Sequence, residues 1–190
     1  MSEGGAFALL VSGPAGAGKS AAADAWASAQ GPYSAHIELD AVREFVRSGW
    51  SDPRVGWNSV TDWQYAIARR NCADMARRYV AEGITCVIDD AIFPLWEQVS
   101  YAGWSQLLAE TPHYLIVLLP SFATVTARNA QRHGRRLLPS DLLRTIYDMM
   151  LPWRDQQAVP VIDSSSLTIV QTAQSMQRVL DDLRGTGDAR

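Results

Sequence analysis

The run Gly13-Pro14-Ala15-Gly16-Ala17-Gly18-Lys19-Ser20 has the form GxxxxGKS. It is preceded by residues 7–11 (FALLV), a short apolar run that reads as a buried strand. It is followed by an alanine-rich stretch from Lys19 to about Gly31-Pro32, which reads as a helix. Strand, glycine-rich turn and helix in that order are the context in which this Walker A pattern binds phosphate. Glycines let the backbone curl so that successive N–H groups cradle an anion, and the helix dipole favours negative charge there. Gly13, Ala15, Gly16, Ala17 and Gly18 are therefore expected to line a phosphate cradle. Lys19 is expected to bridge the β- and γ-phosphates, and the Ser20 hydroxyl to ligate magnesium.

Lysine use supports this reading. Of 17 lysines and arginines, Lys19 is the only lysine. A chain that uses arginine everywhere else keeps a compact ammonium at the one position where a point charge suits a phosphate.

Outward from the loop, apolar runs alternate with helical patterns. Residues 35–39, 84–88, 114–119 and 159–162 read as further strands, making five. Asp40 is expected to cap a helix reaching Arg47, with Gly49 as terminator. Thr61-x-x-Gln64 and Thr168-x-x-Gln171 read as capping boxes, the first opening a long helix to Glu82. Ser121 reads as the cap of a helix to about His133, and Ser140 as the start of one to about Met150. The expectation is a single α/β domain over residues 1–190, with loose ends at 1–5 and 185–190.

The composition is that of an ordinary globular chain: 190 residues, 47% hydrophobic and 19% charged. A net charge of -3 weighs against nucleic acid as a partner bound by broad charge neutralisation. Cys72 and Cys86 form no CxxC or Cys/His cluster, so neither a zinc site nor a disulfide framework is expected. There is no basic leader and no run long enough to span a membrane, so the expected location is cytoplasmic. Oligomeric state is left open.

In a doubly wound sheet, ligands gather at the carboxyl ends of the strands. Asp40, Asp89 and Asp90 all fall at such ends. Asp40 can accept a proton from a hydroxyl attacking phosphate, and Arg43, one turn on, can hold an acidic group or the transferred phosphate. Asp89-Asp90 is a Walker B-like pair for magnesium, with one acid functional and the other structural. Arg128 and Arg132 share a helix face, and at least one is expected to meet charge developing on the phosphate. Arg136 reads as a solvated helix-end charge. Arg54, Trp57 and Gln64 lie in a tryptophan-rich stretch, residues 50–64, that reads equally as acceptor pocket or as packing.

As an ordered set, these motifs resemble P-loop small-molecule kinases related to chloramphenicol phosphotransferase, gluconate kinase and zeta toxins. They also resemble the 5′-kinase domain of phage polynucleotide kinase. The shared pattern is Walker A, then Asp40-x-x-Arg43, Asp89-Asp90, the arginines of 128–136, and Asp163-Ser164-Ser165. The resemblance implies a P-loop NTPase three-layer sandwich, a mostly parallel sheet of order 2-3-1-4-5, and a short arginine-bearing lid at about 128–140. It implies ATP and Mg2+, with Asp40 as general base and Arg43 as a substrate or phosphate contact. Arg128 would stack on adenine or serve the lid, Arg132 would serve the lid, and Asp163 and Ser165 would belong to the adenine-side loop.

The function expected is an ATP-dependent phosphotransferase acting on a hydroxyl of a sugar, nucleoside or antibiotic-like molecule. The alternatives are a polynucleotide 5′-kinase and a nucleotide-dependent switch or ATPase. The acidic balance and missing basic stripe disfavour the polynucleotide kinase.

Overall fold

The computed structural model describes residues 5–185, so the ends expected to be loose lie largely outside the described residues. Five parallel strands form one sheet in the order β2-β3-β1-β4-β5. They are β1 (Ala8–Ser12), β2 (Ser34–Glu38), β3 (Thr85–Asp89), β4 (His113–Leu118) and β5 (Val161–Ile162). The register pairs Leu10 with Ile88 and Leu115, which puts the ends of β1 and β3 and the loop after β1 at one edge.

Every residue of β1 is buried, as a parallel strand covered on both faces must be. Alternation sends Ala8 and Leu10 to one face, and Leu9 and Val11 to the other. The first face packs against α2 (Leu39–Arg43), α3 (Ser59–Ala81), α4 (Tyr101–Leu108) and α6 (Ser140–Met150). The second packs against α1 (Lys19–Ala29) and α7 (Ile169–Gly185). On that side Trp26 is fully buried and its indole N–H donates to Gln177. Two helical layers therefore enclose the sheet, making the three-layer sandwich that the sequence resemblance implies. Between β4 and α6 lies α5 (Phe122–Ala130).

Local signals place several helix ends correctly. Thr168 and Gln171 form a reciprocal capping box, each backbone N–H donating to the other's side chain. The Ser121 hydroxyl accepts the N–H of Thr124.

The first expected capping box is a correction. Asn58 caps α3 instead, its carboxamide oxygen accepting the N–H groups of Val60 and Thr61. Thr61 and Gln64 then lie within the helix and tie a distant loop to it. Thr61 meets the Ser51 hydroxyl at 2.6 Å, and Gln64 accepts from the Ser51 N–H and donates to the Gly49 carbonyl. Replacing the cap, Asn58→Ala, is expected to lower unfolding free energy by about 1 kcal/mol in urea titration.

Two other elements differ from the sequence reading. Helix α2 stops at Arg43 rather than Arg47, and the next hydrogen bonds span three residues, Phe45 to Val42 and Val46 to Arg43. Its cap position is Glu38, so Asp40 sits inside the first turn. The sequence reading contains no helix between Asp90 and β4, yet α4 forms there. Ser100 caps it by accepting the Gly103 N–H, and Trp104 and Leu108, four apart, are both fully buried.

Candidate functional site

The loop after β1 is held tightly from outside. Gly13 has φ +143°, and a Cβ there would lie 2.1 Å from the Leu118 carbonyl oxygen. Gly16 has φ +83°, and a Cβ there would lie 2.7 Å from the Val125 carbonyl oxygen. Both positions thus require glycine for conformation and for space. The loop ends at Gly18, itself left-handed, where α1 begins.

Lys19 folds back over the loop, its ammonium donating to the Gly13 carbonyl at 2.9 Å and to the Pro14 carbonyl at 3.3 Å. Burial lowers its pKa, against which the negative charge of Asp89 pulls upward. Next to it, the Ser20 hydroxyl donates to Asp89 at 2.5 Å. The other Asp89 oxygen meets His36 Nε2 at 3.0 Å. Burial opposes ionisation of Asp89, but the bonds from His36 and Ser20 outweigh it and hold the carboxyl below its usual range. Burial likewise pulls His36 down, and its bond to Asp89 more than compensates, so its pKa is raised.

A pH prediction follows from the sign of that shift. A raised imidazole pKa contributes stability below its unfolded value near 6.5, and the contribution is lost as pH rises through the folded value. The pair is therefore expected to favour folding at pH 6 more than at pH 8.5. His36→Gln should flatten that part of the stability curve, as read by thermal unfolding across the range.

Asp90 is differently placed from Asp89. Its Oδ2 accepts from Arg69 Nε and from the Trp104 indole, both at 2.9 Å, and the residue is only 3% exposed. The acid pair thus divides, one member beside the loop serine and one in a buried ion pair with Arg69.

A cleft of about 200 Å³ opens at this edge. Ala15, Lys19, Ser20, Asp40, Arg43, Arg54, Asp89, Asp90 and Arg132 all line it, together with Trp50, Arg135 and Arg136. Asp40 stands 3.6 Å from Arg43 Nη1. Its side chain is 70% exposed, with protein atoms of the cleft lining on the remaining side. That partial loss of water raises its pKa, while Lys19 and Arg43 restrain the rise. Solvent access at the carboxylate keeps the effect moderate.

Trp57 and Gln64 do not line the cleft, which corrects the acceptor reading of both. Trp57 stacks on Tyr65 and packs edge-on against Trp96. Gln64 is buried between α3 and the Ser51 loop. Trp50, not singled out in the sequence, is the tryptophan of this stretch that reaches the cleft. Arg54 lines the cleft in a tight pair with Asp52.

Arg128 also departs from the catalytic expectation. Its guanidinium donates to the Ala17 carbonyl and to the Ser164 carbonyl, each at 3.0 Å. It clamps the phosphate-loop segment to the 163–165 loop and lies outside the cleft lining. In that loop Ser165 donates to Asp163 through its N–H and its hydroxyl, and accepts the Ser121 N–H. Arg132 does line the cleft and makes no ion pair among the described residues. Burial and neighbouring Arg136 lower its pKa. Arg136 is largely exposed and reaches Glu38 at 3.0 Å, a contact between the 134–136 turn and the end of β2.

The sheet order, the loop on its central strand and the acids at neighbouring strand ends define a P-loop protein with a kinase-like fold. The chain belongs to the AAA domain family, whose profile matches residues 9–156. No curated protein sequence matches it. Among solved structures it is similar to a gluconokinase from Sinorhizobium meliloti 1021, with 21% identity and TM-score 0.63, over 96% of this chain and 97% of that one. A sugar kinase from Janibacter sp. HTCC2649 shares 17% identity with TM-score 0.63, over 93% and 95% of the two chains. A shikimate kinase from Acinetobacter baumannii, solved with shikimate, shares 12% with TM-score 0.62, over 93% and 94%.

Proposed function

We propose that the protein is an ATP-dependent kinase that transfers the γ-phosphate to a hydroxyl of a small molecule. The observation that carries this is one cleft holding both the Lys19–Ser20 end of the phosphate loop and, facing it, the Asp40 carboxylate. A switch or simple ATPase has no need of an acceptor-side carboxylate in the same cleft as the phosphate loop. The kinase neighbours support the reading through fold alone.

The donor set fits magnesium. Ser20 and Asp89 offer a hydroxyl and an ionised carboxylate 2.5 Å apart, hard oxygens of the kind the ion takes alongside phosphate and water. Ser20 and Asp89 would hold it. Bound there, it would neutralise charge on the β- and γ-phosphates. Asp90, committed to Arg69 and Trp104, is left to the acceptor side.

The chain's own residues then divide the work. The backbone of residues 13–18 and the start of α1 bind the triphosphate. Lys19 exchanges its two carbonyl contacts for phosphate oxygens. Arg128 keeps the loop and the 163–165 segment in register. The acceptor hydroxyl gives its proton to Asp40 as its oxygen bonds to the γ-phosphorus. The bond from that phosphorus to the β–γ bridging oxygen breaks, and ADP leaves. Arg132 meets charge on the transferring group.

The test is incubation with γ-labelled ATP, magnesium and a panel of hydroxylated metabolites, nucleosides and antibiotics. Label recovered on one compound class supports the proposal. Labelled inorganic phosphate alone, at a rate no compound changes, rejects it.

A further inference from the structure

Both oxygens of the Asp89 carboxylate are held. Oδ2 accepts the Ser20 hydroxyl, and Oδ1 faces His36 Nε2 at 3.0 Å. An ionised carboxylate only accepts, so the imidazole nitrogen facing it carries the proton and donates. Among the described residues these two are the hydrogen bonds to the Asp89 side chain.

The sheet places the ring. β2 and β3 run parallel with Glu38 beside Asp89, so His36, two residues earlier, lies on the same face. Ile37 turns to the opposite face and joins the core there. On the histidine's face lies α1, where Ser20 and Asp24 are one turn apart. Asp24 approaches the other ring nitrogen, Nδ1, only to 3.8 Å, and its side chain is 76% exposed against 16% for the imidazole. Asp89, with a side chain 4% exposed, is therefore the partner that holds the ring.

The backbone of Asp89 is fixed by other means. It pairs with Val11 of β1, and the next N–H, of Asp90, donates to the Val11 carbonyl. Ser12 grips the turn beyond, its hydroxyl accepting the Ile92 N–H and donating to the Ile92 carbonyl. What the backbone leaves free is rotation of the carboxylate about its last bond, a torsion with only a broad preference of its own. Ser20 is a poor reference for that rotation, because its hydroxyl belongs to the same donor pair. His36 stands outside the pair and holds the oxygen that Ser20 does not take.

We infer that His36 is a positioning residue for the magnesium donors: its hydrogen bond to Oδ1 fixes the Asp89 carboxylate so that Oδ2 faces Ser20. This rests on the reading of Ser20 and Asp89 as the donors and adds a residue outside both the phosphate loop and the acid pair. The role belongs to the hydrogen bond, so a side chain that donates at similar reach without titrating keeps it.

The experiment is calorimetric titration of the full chain with a non-hydrolysable ATP analogue, once in EDTA and once in excess magnesium. The ratio of the two affinities is the gain that the ion supplies, and by linkage it reports the ion's hold in the complex. His36→Leu keeps bulk and removes the donor. It should cut the gain about tenfold, the low end of what losing a ligand's supporting bond costs, and leave the affinity in EDTA within about twofold. His36→Asn, polar but too short to reach Oδ1, is expected to match it, so the test does not depend on one variant folding. His36→Gln, whose carboxamide donates at a reach close to that of Nε2, should keep most of the gain.

The inference is overturned if the leucine and asparagine variants keep the wild-type gain, or if glutamine loses as much as they do. It is also overturned if affinity in EDTA falls as far as affinity in magnesium, since His36 would then support the loop and not the donors. Each of these results leaves the magnesium reading and the kinase proposal standing. A wild-type protein with no magnesium gain removes the magnesium reading, and the inference with it.

Discussion

Lys19→Ala is expected to abolish phosphoryl transfer, with a loss of kcat on the order of 10³-fold or greater, while the protein remains folded. The size follows from removing a preorganised cation aimed at charge that grows in the transition state. The retained fold follows from where the ammonium now rests. It is drawn into the protein at a cost in hydration, with a lowered pKa, and its own partners are two carbonyls of the loop. Removing it relieves a desolvated charge, so the thermal midpoint should be unchanged or raised. Lys19→Arg should not rescue activity, because a planar guanidinium does not replace a compact ammonium inside a tight loop. Near-native turnover in either variant, measured by label transfer, would remove Lys19 from the mechanism.

The second large effect is expected from Asp40→Asn. Loss of the base should lower kcat by roughly 10²- to 10⁴-fold and leave the KM for ATP within about twofold. The carboxylate must be ionised to accept a proton, and partial desolvation by the cleft walls pulls its pKa upward, against the restraint of Lys19 and Arg43. The acidic limb of kcat should therefore sit at higher pH than an unperturbed aspartate would give, with turnover falling as pH drops through it. In the asparagine variant this limb should disappear from the residual rate. Equal loss of kcat and ATP affinity would point to a structural part for Asp40, exerted through its 3.6 Å approach to Arg43.

Much of the fold and part of the candidate site are legible in the chain. GxxxxGKS after an apolar run predicts the loop, the strand before it and the helix after it, since each demand is met within about twenty residues. The capping box of Thr168 and Gln171 is local in the same way. The alternation of apolar runs with helical patterns predicts five strands and puts Asp40, Asp89 and Asp90 at one edge. The lone lysine marks the phosphate end without any structure.

What remained open depended on contacts between residues far apart in the chain. Thr61 and Gln64 satisfy a capping pattern, but the Ser51 loop competes for their side chains and Asn58 takes the cap. Asp89 and Asp90 are equivalent on paper. They part because neighbouring residues of a strand end face different surroundings, one Ser20 and His36, the other Arg69 and Trp104. The sequence reading puts Arg128 and Arg132 on one helix face, but α5 ends at Ala130, so Arg128 on the helix grips loop carbonyls while Arg132, beyond its end, lines the cleft. A hydrogen bond within one helical turn is encoded where it forms. A bond from Arg69 to Asp90, or from Ser20 to Asp89, exists only once the sheet has brought the two segments together, so spacing alone could not assign them.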